Sequence, residues 1–153
     1  MNSTDGSFTG SYSYTLDAKG RANIPAKMRK ALNPANDRTF VATRGADSCI
    51  VLYPVEVWKQ IVEKLIRLNK RRALHRHYTR NFVRYAEAVQ YDQQGRVALP
   101  AELINYAGIE KGIEIVGMLD HIEIWNPERL DESDNQFADQ QDEMDAISDE
   151  VFS

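Results

Sequence analysis

The run Phe8-Thr9-Gly10-Ser11-Tyr12-Ser13-Tyr14-Thr15-Leu16 alternates aromatic or apolar residues with small polar ones, which predicts a strand with one buried face. The stretches Ile113 to Gly117 and His121 to Trp125 alternate in the same way. Phe40 to Thr43 and Cys49 to Tyr53 are short apolar runs that read as two more strands, joined by a loop containing Gly45, Ala46 and Asp47. Arg21 to Ile24, Glu87 to Tyr91 and Val97 to Leu99 complete the predicted strands. Helical spacing appears in four places. From Pro25, Met28 and Leu32 fall on one side; a second short helix runs from Pro100 to Tyr106, where Gly108 can close it. From Pro54 to about Leu68, Val57, Trp58, Ile61, Val62, Leu65 and Leu68 recur at three- and four-residue steps. Leu74, Tyr78 and Phe82 then recur every four residues among many cations, predicting another helix packed along that stripe. Met1 to Ser7 is polar and is expected to be loose.

Part of this pattern is stated twice. Asp17-Ala18-Lys19-Gly20-Arg21-Ala22-Asn23-Ile24-Pro25-Ala26 returns as Asp92-Gln93-Gln94-Gly95-Arg96-Val97-Ala98-Leu99-Pro100-Ala101. Asp at the first place and Gly at the fourth suit a tight turn: the carboxylate caps backbone amides and Gly takes the left-handed conformation that follows. Pro fits the first turn of a helix, where its missing N–H leaves nothing unsatisfied. Each copy therefore reads strand, turn, strand, short helix, and the flanking strands follow in the same order. A half-barrel leaves sheet edges open, so two such halves in one chain are expected to close on each other. The predicted fold is mainly β with capping helices (α+β), a small barrel of short strands built from two pseudo-symmetric halves.

Charge changes the picture, because the two copies do not share it. Aligned, Lys19 stands against Gln94, Lys27 against Glu102, Arg29 against Ile104 and Lys30 against Asn105. The whole chain of 153 residues carries a formal charge of −4. From Asn126 onward there are ten acidic residues and one Arg, a net −9; the preceding body holds 18 basic and 13 acidic residues, a net +5. A cationic body behind an acidic tail points to a polyanionic partner met by the first half alone. The single Cys49 excludes an internal disulfide and fits a reducing compartment. No leader and no membrane-length apolar run is apparent, so a cytoplasmic protein is expected. His75-x-His77 lacks a third ligand at metal spacing and lies among cations. No phosphate loop or nucleophile–base pair is evident either, so neither an enzyme, a cofactor nor a small-molecule substrate is expected.

The motifs Phe8-Thr9-Gly10, Leu16-Asp17-Ala18-Lys19-Gly20-Arg21, Ile24-Pro25-Ala26-Lys27-Met28-Arg29 and Leu52-Tyr53-Pro54 with Trp58 are followed by Asp92, Gly95, Arg96, Leu99-Pro100, Gly117 and Ile124-Trp125. Together they resemble the MraZ family of bacterial regulators over residues 8 to 130. The resemblance implies an AbrB-like swapped-hairpin barrel, assembly into a homo-oligomeric ring, and binding of double-stranded DNA at short direct repeats in the promoter of cell-division and wall-synthesis genes, hence nucleoid association. It also places the family's DNA-contacting Arg at Arg21. Independently, an exposed turn carrying Lys19 and Arg21 can enter a groove, where Arg can grip guanine O6 and N7; the alternative for Arg21 is a pairing with an acidic residue, Asp17 or Asp92. Lys27, Arg29 and Lys30 are placed to hold phosphates. Asp17, Gly20, Asp92, Gly95 and Arg96 are read as structural parts of the two turns. The expected division is 8–58 for the DNA-facing half, 59–84 for basic linking helices, 85–130 for the second half, and 131–153 for an acidic tail, disordered or loosely helical. The alternative is an antitoxin-like or scaffolding ring that uses the basic turn for an acidic protein.

Overall fold

The computed structural model describes residues 6–153, so the expectation for Met1 to Ser7 falls mostly outside the described residues. The first half comprises β1 (Ser11–Thr15), β2 (Arg21–Asn23), α1 (Ala26–Ala31), β3 (Thr39–Arg44) and β4 (Ile50–Pro54). Two linking helices follow, α2 (Val55–Ile66) and α3 (Ala73–Val83). The second half repeats the order as β5 (Glu87–Gln90), β6 (Arg96–Ala98), α4 (Ala101–Tyr106), β7 (Gly112–Gly117) and β8 (Ile122–Trp125). Two acidic helices, α5 (Pro127–Gln136) and α6 (Gln141–Phe152), end the chain.

Six strands form one antiparallel sheet in the order β1-β7-β8-β4-β3-β5, and β2 pairs with β6 in a separate ribbon. Exchanging each strand for its counterpart in the other half reverses that order and leaves it otherwise unchanged. This is a two-fold pseudo-symmetry with swapped partners. β1 pairs with β7 of the second half, Tyr14 opposite Ile113, while β5 pairs with β3 of the first, Val89 opposite Phe40. At the centre β4 meets β8, with Ile50 opposite Ile124. Neither half can complete its sheet alone, as the duplicated pattern anticipated.

Alternation in the strands explains where the core lies. Ile113 and Ile115 of β7 and Ile122 and Ile124 of β8 are fully buried, and Glu114 between them accepts hydrogen bonds from Ser11 and Ser13 on the outer face. One cluster joins both halves: Phe8, Phe40, Ile50 and Leu52 pack with Val97, Leu103, Ile113 and Ile122. The helices α1 and α4 seal it through Met28 and Leu103, each 1% exposed. A smaller cluster of Cys49, Val51 and Trp125 packs against Leu130 of α5. Burial pushes the Cys49 thiol up to about 12, so the residue is an inert apolar filler.

The structure corrects the stripe expected on α3. Leu74 and Tyr78 are 68% and 60% exposed, and the packed side is formed by His75, Thr79 and Phe82. Phe82 stacks on Trp58 of α2 with centroids 5.6 Å apart, and its carbonyl accepts a hydrogen bond from the buried Thr43 hydroxyl. A four-residue step overshoots one helical turn by about 40°. Once Phe82 is pinned, Tyr78 and Leu74 are therefore carried progressively away from the core.

Candidate nucleic-acid interface

Each Asp-x-x-x-Arg segment folds on its own carboxylate. Asp17 Oδ1 accepts the backbone N–H groups of Lys19 and Arg21, both at 2.9 Å, and Asp92 Oδ1 accepts those of Gln94 and Arg96 at 2.9 and 3.0 Å. The following glycines, Gly20 and Gly95, have φ of 74° and 80°, a region that strains any residue with a Cβ. The pairing of β2 with β6, Asn23 opposite Arg96 and Arg21 opposite Ala98, sets the two turns side by side. Gly20 N to Asp17 O closes the first turn at 3.0 Å, and Gly95 N to Asp92 O the second at 2.9 Å.

The arginines differ in their partners. Arg21 donates from Nε to Asp17 Oδ2 at 2.6 Å, and neither of its terminal nitrogens makes a hydrogen bond among the described residues. Arg96 makes the matching Nε bond to Asp92 Oδ2 at 3.3 Å and in addition bridges the turns: Nη2 lies 3.2 Å from Asp92 Oδ2 and Nη1 lies 3.7 Å from Asp17 Oδ2. Asp17 thus fixes the stem of Arg21 while leaving the two-pronged end of the guanidinium available, whereas Arg96 is spent on holding one turn to the other. Lys19 at the tip and Lys27 and Lys30 on α1 are exposed. The structure places Arg29 differently from these lysines. It is half-buried, donates from Nε to Ile24 O at 3.0 Å, and lays its guanidinium over Gly95, so that a Cβ there would lie 2.7 Å from it. In the other half Ile104 covers Gly20 in the same way. Arg29 therefore packs on the second turn at the place where its counterpart Ile104 packs on the first.

Both turn carboxylates are held below their ordinary range. The Arg21 backbone amide is the main cause for Asp17 and the Arg96 amide for Asp92, and partial burial opposes both. Because their folded values lie under the unfolded 3.8, this contribution to stability is complete above that pH and is lost as pH falls through the lower folded values. Thermal melts are expected to show declining stability below about pH 4, and Asp17→Asn should flatten that acid limb. An acid limb identical to the parent's would show that the turn carboxylates do not contribute to it.

Sequence reasoning missed the contacts that position this unit on the rest of the molecule. Asn36 is buried and accepts the Glu56 N–H at the start of α2 at 3.0 Å, capping a helix from 20 residues away. Arg44 lies between the rings of Tyr85 and Tyr106, 3.6 and 4.4 Å from their centroids. Neither carries a local signature, since Asn36 reads as part of a loop and Arg44 as the end of a strand. Among the described residues, no group of three His, Cys, Asp or Glu side chains could hold a metal ion, and no helix is long and apolar enough to cross a membrane.

Two four-stranded halves that exchange strands, and that present paired Asp-x-x-x-Arg turns side by side, define a duplicated swapped-hairpin protein. The sequence agrees on the duplication, since residues 7–81 and 82–150 each match the family described as "MraZ protein, putative antitoxin-like". The chain belongs to the MraZ family. It is 40% identical over 124 residues to a protein of Natranaerobius thermophilus named transcriptional regulator MraZ, covering 81% of this chain and 84% of that one. A protein of the same name from Heliobacterium modesticaldum is 39% identical over 137 residues, 90% of this chain and 93% of the other. That of Syntrophomonas wolfei is 43% identical over 122 residues, 80% and 82% of the two chains.

Proposed function

We propose that the protein is a sequence-specific DNA-binding transcriptional regulator, and that its first turn, offered repeatedly by a homo-oligomeric ring, reads tandem direct repeats in a promoter. The observation that carries the reading is the asymmetry between two otherwise matching turns. Arg21, beside Lys19, pairs with one carboxylate through Nε and makes no hydrogen bond from its terminal nitrogens among the described residues, while Arg96 is engaged by two carboxylates and stands beside Gln94. Relatives named as transcriptional regulators, at about 40% identity over most of the chain, support the same role. In this reading Arg21 contacts a base end-on and Asp17 is its positioning residue. Lys19, Lys27 and Lys30 neutralise phosphates and set the register. Arg29 contributes positive potential from its place over the second turn. The accompanying division is a DNA-facing half (8–58), linking helices (59–84), a second half (85–130) and an acidic tail (131–153), with α2 itself starting at Val55 and α5 at Pro127. The cell-division and wall-synthesis promoter, the cytoplasmic and nucleoid location, and the ring itself rest on the family resemblance.

One turn makes few contacts, so a single subunit binds weakly and a ring over several repeats binds tightly through effective concentration. The test is an anisotropy titration of a labelled duplex from the protein's own upstream region against a scrambled duplex, across a range of salt. The repeat-bearing duplex should bind more tightly at every salt concentration, with log affinity falling by roughly 0.9 per phosphate contact per tenfold salt. Equal affinity for both duplexes would instead favour the scaffolding or antitoxin-like reading, which the family's description as antitoxin-like also allows.

A further inference from the structure

The last helix is an amphipath whose apolar side is largely exposed in the subunit. Met144, Ile147 and Val151 of α6 follow one another at three- and four-residue steps and are each at least 55% exposed. Together with Phe137 and Gln140 at the α5–α6 junction, Met144 and Ile147 outline a shallow, mainly apolar hollow. The remainder of α6 holds five acidic residues and no Lys or Arg. A helix with a continuous apolar stripe is stabilised chiefly by packing that stripe against something.

The complementary surface lies on the same chain. Leu74 and Tyr78 stand one turn apart on the outer side of α3, both exposed. From Arg67 to Arg84 there are seven Lys or Arg residues and no Asp or Glu. The two helices also match in length, 12 and 11 residues, or about 18 and 16 Å. Both surfaces are uncovered in one subunit, so the chain carries the two halves of a head-to-tail contact, in which each copy gives α6 and receives it on α3. Such a heterologous contact generates a ring when its rotation closes.

We propose that α6 of one subunit lies along α3 of the next, with Met144, Ile147 and Val151 against Leu74 and Tyr78 and the α6 carboxylates among the α3 arginines. This rests on the oligomeric reading above and names the surfaces that build it. It also gives the basic linking helices a protein partner, which leaves the first turn as the main contact with DNA.

The test uses the full chain. Native mass spectrometry compares the parent with Met144→Asp/Ile147→Asp and with Arg76→Glu/Arg80→Glu, circular dichroism confirming that each subunit stays folded. Separately, Tyr78→Cys and Ile147→Cys proteins are mixed under oxidation; native Cys49 is buried and does not interfere. A large parent assembly is expected, dissociating at a concentration at least ~10-fold higher in either double variant, together with a disulfide between the two single-cysteine proteins. A parent that assembles while both double variants assemble equally well and no cross-link forms would overturn the contact and leave the ring standing. A monomeric parent would overturn both. If the α6 variant keeps its mass and binds DNA more tightly, α6 covers a DNA-binding face instead. If Arg76→Glu/Arg80→Glu loses DNA but keeps its mass, α3 faces the duplex. Either result sinks the proposal.

Discussion

Arg21→Ala is expected to remove most of the preference for promoter repeats while leaving the subunit folded. A well-aligned arginine–guanine pair contributes about 1–3 kcal/mol of discrimination, roughly 5- to 150-fold for each engaged subunit. Several subunits bound in register compound that loss. Stability should change little, because the Arg21–Asp17 pair is partly exposed and the turn is held by backbone bonds to Asp17 that the substitution leaves intact. Replacing Lys19, Lys27 or Lys30 by Ala should act differently, weakening repeat-bearing and scrambled duplexes alike and shallowing the salt slope. Arg96→Ala is the internal control. It loosens the link between the turns, so its effect belongs in the melting curve more than in discrimination. An Arg21→Ala protein that binds the repeats as tightly as the parent, with unchanged melt and mass, would refute the base contact.

Phe40→Ala is expected to give the largest loss of stability. Phe40 is fully buried on β3, lies opposite Val89 of the second half and opposite Pro54 on β4, and has its ring 6.2 Å from that of Phe8. Truncating a buried Phe costs about 3–5 kcal/mol through lost burial and the cavity left behind. For a chain of this size that lowers the melting temperature by roughly 6–20 °C. Because strands of the two halves pair on either side of this residue, the transition should stay single and both halves should melt together. Two separated transitions in the variant would mean that the halves do not depend on a common core.

The duplication was legible because its parts are chemically local. Asp17 and Asp92 cap amides two and four residues ahead, Gly20 and Gly95 supply positive φ, and Pro25 and Pro100 start helices; each is set by a handful of neighbouring residues. The strand positions followed from alternation for the same reason, to within one residue at their ends except for the first, which begins at Ser11 and not at Phe8. The split of charge between the copies was also plain in the aligned residues, and it singled out Lys19, Lys27, Arg29 and Lys30; Arg21, which aligns with Arg96, stood out only through its place at the turn and the family resemblance.

Less local properties were not legible. Lysines and arginines look alike in a string, yet the structure separates them. Arg29 is drawn over the second turn because the position it shares with Ile104 always faces the neighbouring hairpin, while Lys27 and Lys30 stay in solvent. The four-residue spacing on α3 named an apolar stripe but not its orientation, which the Trp58–Phe82 stack and the Thr43 hydrogen bond selected.

The sequence by itself determined that there are two copies of one unit, what each turn is made of, and which copy is cationic, since those depend on residue type at short range. Only the tertiary structure decided that β1 and β5 cross to the opposite half and that Asp17 meets both arginines while Asp92 meets one. The same holds for the apolar faces of α3 and α6 that remain uncovered. Those outcomes depend on which surfaces reach each other across long stretches of chain, and no local pattern encodes that choice.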